Sequence, residues 1–97
     1  MSRGFFKVKI KRRAVRALER IHRGYRIRVL ETLDVLKINP VPLRDYDLKK
    51  LRGYEDTFRI RIGNIRIVYT VDWVSRTIIV HFIGYRESAY KQLYEDN

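Results

Sequence analysis

The chain has 97 residues, enough for one small domain, and its 45% hydrophobic and 12% aromatic content excludes a disordered chain. No cysteine is present, which excludes disulfides, thiolate metal sites and cysteine nucleophiles. Lys and Arg number 22 against 11 Asp and Glu, a net charge of +11. That exceeds the ~2–8 that solubility asks of a small domain, so a polyanionic partner is implied, either nucleic acid or a strongly acidic protein.

Taken in chain order, Met1-Ser2-Arg3-Gly4 opens no long apolar segment, and apolar runs elsewhere are only a few residues long. A membrane span needs roughly 20, so a soluble cytoplasmic protein with no membrane association is expected. Residues 1–28 hold eleven basic residues against the one acid Glu19, so the excess charge is concentrated there. Phe6, Val8 and Ile10 alternate with Lys7, Lys9 and Lys11, which predicts a first strand with a basic outer face. A helix is predicted over about 12–22. Ala14, Ala17, Leu18 and Ile21 fall on one stripe, and Arg12, Arg13, Arg16, Arg20 and Arg23 on the opposite one. Gly24 is placed to close it.

A second helix is predicted over about 25–38, with Tyr25, Val29, Leu33 and Leu36 on one face, Leu30 at its edge, and Ile27 and Ile38 nearly opposite. The second apolar stripe is either surface or a partner contact. Asn39-Pro40-Val41-Pro42 stops the helix, and the single glycine between the helices suggests an antiparallel helical hairpin. Residues 43–56 are mixed and polar, with a short apolar register at Leu48 and Leu51.

The pattern then changes to period two. Phe58, Ile60 and Ile62 alternate with Arg59 and Arg61, and Ile65, Ile67, Tyr69 and Val71 alternate with Arg66, Val68 and Thr70. Gly63-Asn64 between them reads as a two-residue hairpin loop. Asp72–Arg76 connects to a strand over about 77–83 that is apolar on both faces and therefore central. A short C-terminal helix is expected over about 87–95. The whole is a small α+β domain whose first strand joins a three-stranded meander, a sheet of about four strands covered by the helices.

The hairpin register sets Ile62 opposite Ile65, Ile60 opposite Ile67, and Arg61 opposite Arg66. Like charges directly opposed destabilise a sheet, so fold stability supplies no reason for the last pair. An anion held between the two arginines would supply one. The alternative is that they splay into water or pair with a carboxylate of the 45–56 segment. Among possible nucleophiles and bases, Ser2, Ser75, Ser88, His22 and His81 sit in no recognisable motif. His22 reads as a surface residue and His81 as a core histidine. No metal-ligand spacing, paired-carboxylate motif or glycine-rich phosphate loop is present, so no cofactor is expected. An arginine cluster alone can assist one reaction, attack of a ribose 2′-OH on the neighbouring phosphate, by stabilising charge on the phosphorus oxygens.

Lys50-Leu51-Arg52-Gly53, then Phe58 through Val71, then Gly84-Tyr85-Arg86, together resemble the RelE toxins of the RelE/ParE superfamily, and the resemblance runs over nearly the whole chain. It implies a toxin of a type II toxin–antitoxin system that cleaves messenger RNA in the ribosomal A site. By position it assigns Arg59, Arg61, Arg66, Arg86 and Tyr90 to the catalytic site, with Tyr85 and Tyr94 as rivals to Tyr90. Many relatives carry lysine where Arg59 and Arg61 stand. Arginine is too strong a base to shuttle a proton, so either that task falls to Tyr90, Lys49 or Lys50, or general-base help is small. Arg12, Arg13, Arg16, Arg20, Lys49 and Lys50 are expected to bind RNA. The implied partners are an acidic cognate antitoxin, the ribosome and mRNA. A ParE-like gyrase inhibitor and a non-catalytic nucleic-acid-binding module are the alternatives.

Overall fold

The computed structural model describes residues 5–85. In chain order the elements are β1 (Lys7–Ile10), α1 (Arg12–Arg20), α2 (Arg23–Ile38), β2 (Asp47–Lys50), β3 (Thr57–Ile62), β4 (Ile65–Asp72) and β5 (Thr77–Gly84). They form one five-stranded sheet in the order β1-β5-β4-β3-β2. β1 lies parallel to β5, and the other pairings are antiparallel. The predicted meander and the addition of the first strand are both present, and β5 lies inside the sheet, as its two apolar faces require. The fifth strand, β2, was not anticipated. It carries one partly buried residue that packs on the core, Leu48, between charged neighbours, and it forms by pairing with the distant β3. Lysines on both outer strands, Lys7 and Lys9 on β1 and Lys49 and Lys50 on β2, discourage edge-to-edge association.

One face of the sheet is covered by helices. Ala14 and Ile21, with Val29, Leu33 and Leu36 of α2, pack against Ile60, Ile67, Tyr69, Val80 and their neighbours. Tyr69 anchors the segment after α2, its hydroxyl donating to the Pro40 carbonyl at 2.7 Å. Burial pushes that phenol above its usual range. The second stripe of α2, Ile27 and Ile38, is exposed, and so is Leu30 at the edge of the first. At the β4–β5 turn the Asp72 carboxylate accepts from the N–H groups of Ser75 and Val74 at 3.1 Å each, which holds its pKa below the usual value.

The helix junction differs from expectation. α1 ends at Arg20, and Gly24 lies within the first turn of α2 instead of closing α1. His22 is the cap residue, its Nδ1 accepting from the Gly24 N–H at 3.0 Å and satisfying an otherwise orphaned donor. Arg26 reaches back to donate to the carbonyls of Leu18, Glu19 and Ile21, closing the end of α1. The expected C-terminal helix falls outside the described residues.

Candidate nucleic-acid site on the open face of the sheet

The face that no described helix covers is organised in rows by strand register. One row runs Asp47, Arg61, Arg66, Gly84, and the next runs Lys49, Arg59, Val68, Phe82. Four cations therefore share this patch with one carboxylate. Leu51, Val68 and Phe82 form a small apolar cluster beside them. Phe82 reaches this face because the β4–β5 register shifts between Val68 and Tyr69. Val68 faces Phe82 and Tyr69 faces Val80, so His81 is the extra residue of a bulge.

Arg61 and Arg66 are directly opposed, as the hairpin loop predicts. Arg61 is exposed, and its Nε donates to the Gly63 carbonyl at 3.2 Å. Gly63 itself has φ +57°, the left-handed conformation that the loop requires. Arg66 is half-buried, with Nη1 donating to the carbonyls of Asn64 at 2.9 Å and Tyr85 at 3.1 Å. Arg59 is in a different situation. It is buried, and its Nη2 donates to Asp47 Oδ1 at 3.1 Å. Asp47 belongs to the 45–56 segment expected to offer Arg61 and Arg66 a carboxylate, and it serves Arg59 instead. The missed signal was the Asp47-Leu48-Lys49 alternation, which as a strand puts Asp47 and Lys49 opposite Leu48.

Lys49 shares the open face and stands across from Arg59. Lys50, one residue on, pairs with Phe58 on the helix side of the sheet edge. Arg12, Arg13, Arg16 and Arg20 are all exposed on α1. Since α1 packs on the covered face, their stripe lies across the sheet from Arg61 and Arg66, and the two basic regions do not form one surface. Arg86 and Tyr90 lie outside the described residues, as do Tyr94, Ser2 and Ser88. Tyr85 is drawn toward the helices, where its hydroxyl accepts from the His22 N–H at 3.1 Å and its ring meets Tyr25 edge-on. Ser75 is a turn residue that donates to Thr77 Oγ1.

His81 is not a helix-side core residue. It faces the open side, half-buried, with Nε2 2.7 Å from Thr70 Oγ1, which is 2.8 Å from Thr57 Oγ1. Thr57 donates onward to the Glu55 carbonyl. Read back along the chain, Thr70 donates to Thr57 and His81 Nε2–H donates to Thr70, which sets the tautomer. Burial, reinforced by the positive charge of Lys11, pushes the imidazole down to about 4, so it is neutral at pH 7. Among the described residues, no group of three His, Asp or Glu is placed to hold a metal ion, and no helix is long and apolar enough to cross a membrane.

The patch can therefore bind an anion on arginine forks beside an apolar surface, with no metal-binding cluster among the described residues. The family model for the ParE toxin of type II toxin–antitoxin systems matches residues 8–90. The chain is similar to RelE1 of Methanocaldococcus jannaschii, 37% identical over 86 residues that cover 89% of this chain and 96% of that protein. Among solved structures, a chain of the archaeal RelE–RelB complex from Pyrococcus horikoshii OT3 superposes with a TM-score of 0.77 at 32% identity, covering 90% of this chain and 98% of that one. A chain of the RelB–RelE antitoxin–toxin complex from Methanococcus jannaschii superposes with a TM-score of 0.71 at 26% identity, covering 86% and 95%. In sequence and in three dimensions, the chain belongs to the RelE/ParE superfamily of type II toxin–antitoxin toxins and is of the RelE type.

Proposed function

We propose that the protein is a ribosome-dependent endoribonuclease that cuts messenger RNA in the A site, inhibits translation, and is held in check by an acidic antitoxin. The observation that carries this reading is the directly opposed Arg61–Arg66 pair on the uncovered face. Such a pair costs stability in an empty sheet and gains a purpose when a phosphate lies between its members.

In the reaction, the ribose 2′-oxygen attacks the adjacent phosphorus, the bond to the 5′-oxygen breaks, and a 2′,3′-cyclic phosphate is left. Arg59, Arg61, Arg66 and Arg86 stabilise the charge that builds on the non-bridging oxygens. The 2′-OH must lose a proton and the 5′-oxygen must gain one. Lys49 and Tyr90 are the candidates for these transfers, since Lys50 lies on the other side of the sheet edge. The ribosome's part is to hold the message in line for attack. The stripe on α1, being remote from the arginine rows, would grip ribosomal RNA through its phosphates while the open face takes the message. The antitoxin is inferred from the charge of +11 and from the likeness to toxins solved together with RelB.

The test is purified protein added to a programmed ribosome, with 5′ ends mapped on the message. Cuts confined to the A-site codon are expected. Absence of cleavage with tight, salt-dependent binding would make the protein a binding module, and inhibition of gyrase supercoiling would place it with ParE-like poisons.

A further inference from the structure

We propose that Asp47 is the resting occupant of an anion site built on Arg59, and that a phosphate group displaces it there. The proposal rests on reading the open face as a phosphate-binding surface. It adds a residue outside the expected site, one that keeps the free protein from taking up stray anions.

The pair is lopsided. The Arg59 side chain is 9% exposed, whereas that of Asp47 is 58% exposed. A guanidinium carries five N–H donors. Among the described residues, Asp47 is the one hydrogen-bond partner of the Arg59 guanidinium, at 3.1 Å on Nη2, and the buried Nε has none. Nε and Nη2 lie on the same edge of the guanidinium. Asp47 therefore fills half of a two-donor fork that matches two oxygens of a phosphate.

Register strengthens the point. Asp47 stands directly across from Arg61, yet its carboxylate bonds diagonally to Arg59. A buried cation cannot be left without an anion, whereas an exposed carboxylate on a four-residue edge strand returns to water at little cost. The cation is fixed and the anion is exchangeable. A phosphate arriving at Arg59 would also meet Lys49, across from Arg59, and Arg61, across from Asp47. While Asp47 holds the fork, apparent affinity falls by the fraction of time the site stands open. Only a ligand with further contacts, such as a positioned message, then competes effectively.

The experiment titrates inorganic phosphate against chloride at constant ionic strength and reads the melting temperature. Asp47→Asn keeps an oxygen for Arg59 Nη2 and removes the charge, and Asp47→Ser gives the same comparison if that variant does not fold. Phosphate should bind the variant at least about tenfold more tightly than the wild type. The gain should vanish when Arg59→Gln is added. Equal phosphate affinity in wild type and variant would overturn the proposal, and so would a gain that survives Arg59→Gln. No ribosome is present in the titration, so its outcome is independent of the nuclease reading. Loss of A-site cleavage in the wild type would defeat that reading alone.

Discussion

Arg61 faces Arg66 directly across the β3–β4 hairpin, and each guanidinium turns to backbone carbonyls, Arg61 to Gly63 and Arg66 to Asn64 and Tyr85. Arg61 forms no ion pair with any described carboxylate. Relief of like-charge repulsion in Arg61→Thr should therefore leave the melting temperature unchanged or raise it, with a cross-strand gain of roughly 0.2–1 kcal/mol. The same change should lower ribosome-dependent cleavage. A lower melting point with unimpaired cleavage would mark Arg61 as a structural residue.

Arg66→Ala and Arg86→Ala should each abolish growth inhibition, with a loss of 10²–10³ in cleavage rate, or about 3–4 kcal/mol. Arg66 also bonds two carbonyls, so its replacement should cost about 1 kcal/mol of stability. Melting curves alongside cleavage rates separate the two effects. A fully toxic double variant would remove both residues from the site.

Neutralising Arg12, Arg13, Arg16 and Arg20 together should weaken ribosome association and leave the cleavage positions unchanged. If all four contact phosphates, the slope of log K against log salt should shrink by about 3. An unchanged slope would make the stripe a solvated face.

His81 should make the domain acid-sensitive. Its pKa is about 4 in the folded protein, against about 6.5 in the unfolded chain. As pH falls, the unfolded chain takes up the proton first, so the contribution is complete above about pH 6.5 and is lost toward pH 4. The ring keeps some solvent contact, which limits the loss to about 1–2 kcal/mol. The test compares the melting temperature at pH 7 and pH 4.5 in wild type and His81→Gln. An equal drop in both would show that other groups carry the acid sensitivity.

By itself the amino-acid sequence determined what depends on neighbours along the chain. The alternation on either side of Gly63-Asn64 set the β3–β4 register and with it the Arg61–Arg66 opposition, because a two-residue loop leaves no other in-phase pairing. The apolar stripes of both helices, and the basic stripe on α1, followed from the 3.6-residue period in the same way. Tertiary structure alone decided what depends on partners far apart. β2 has too little apolar pattern to declare itself, and only its pairing with β3 makes it a strand and brings Asp47 to Arg59. The bulge that turns His81 and Phe82 to the same face lies just past the last β1–β5 pair, Ile10–Val80, where the β4–β5 register slips by one residue. No period in residues 77–83 records that slip, because a bulge belongs to a pair of strands rather than to either one alone.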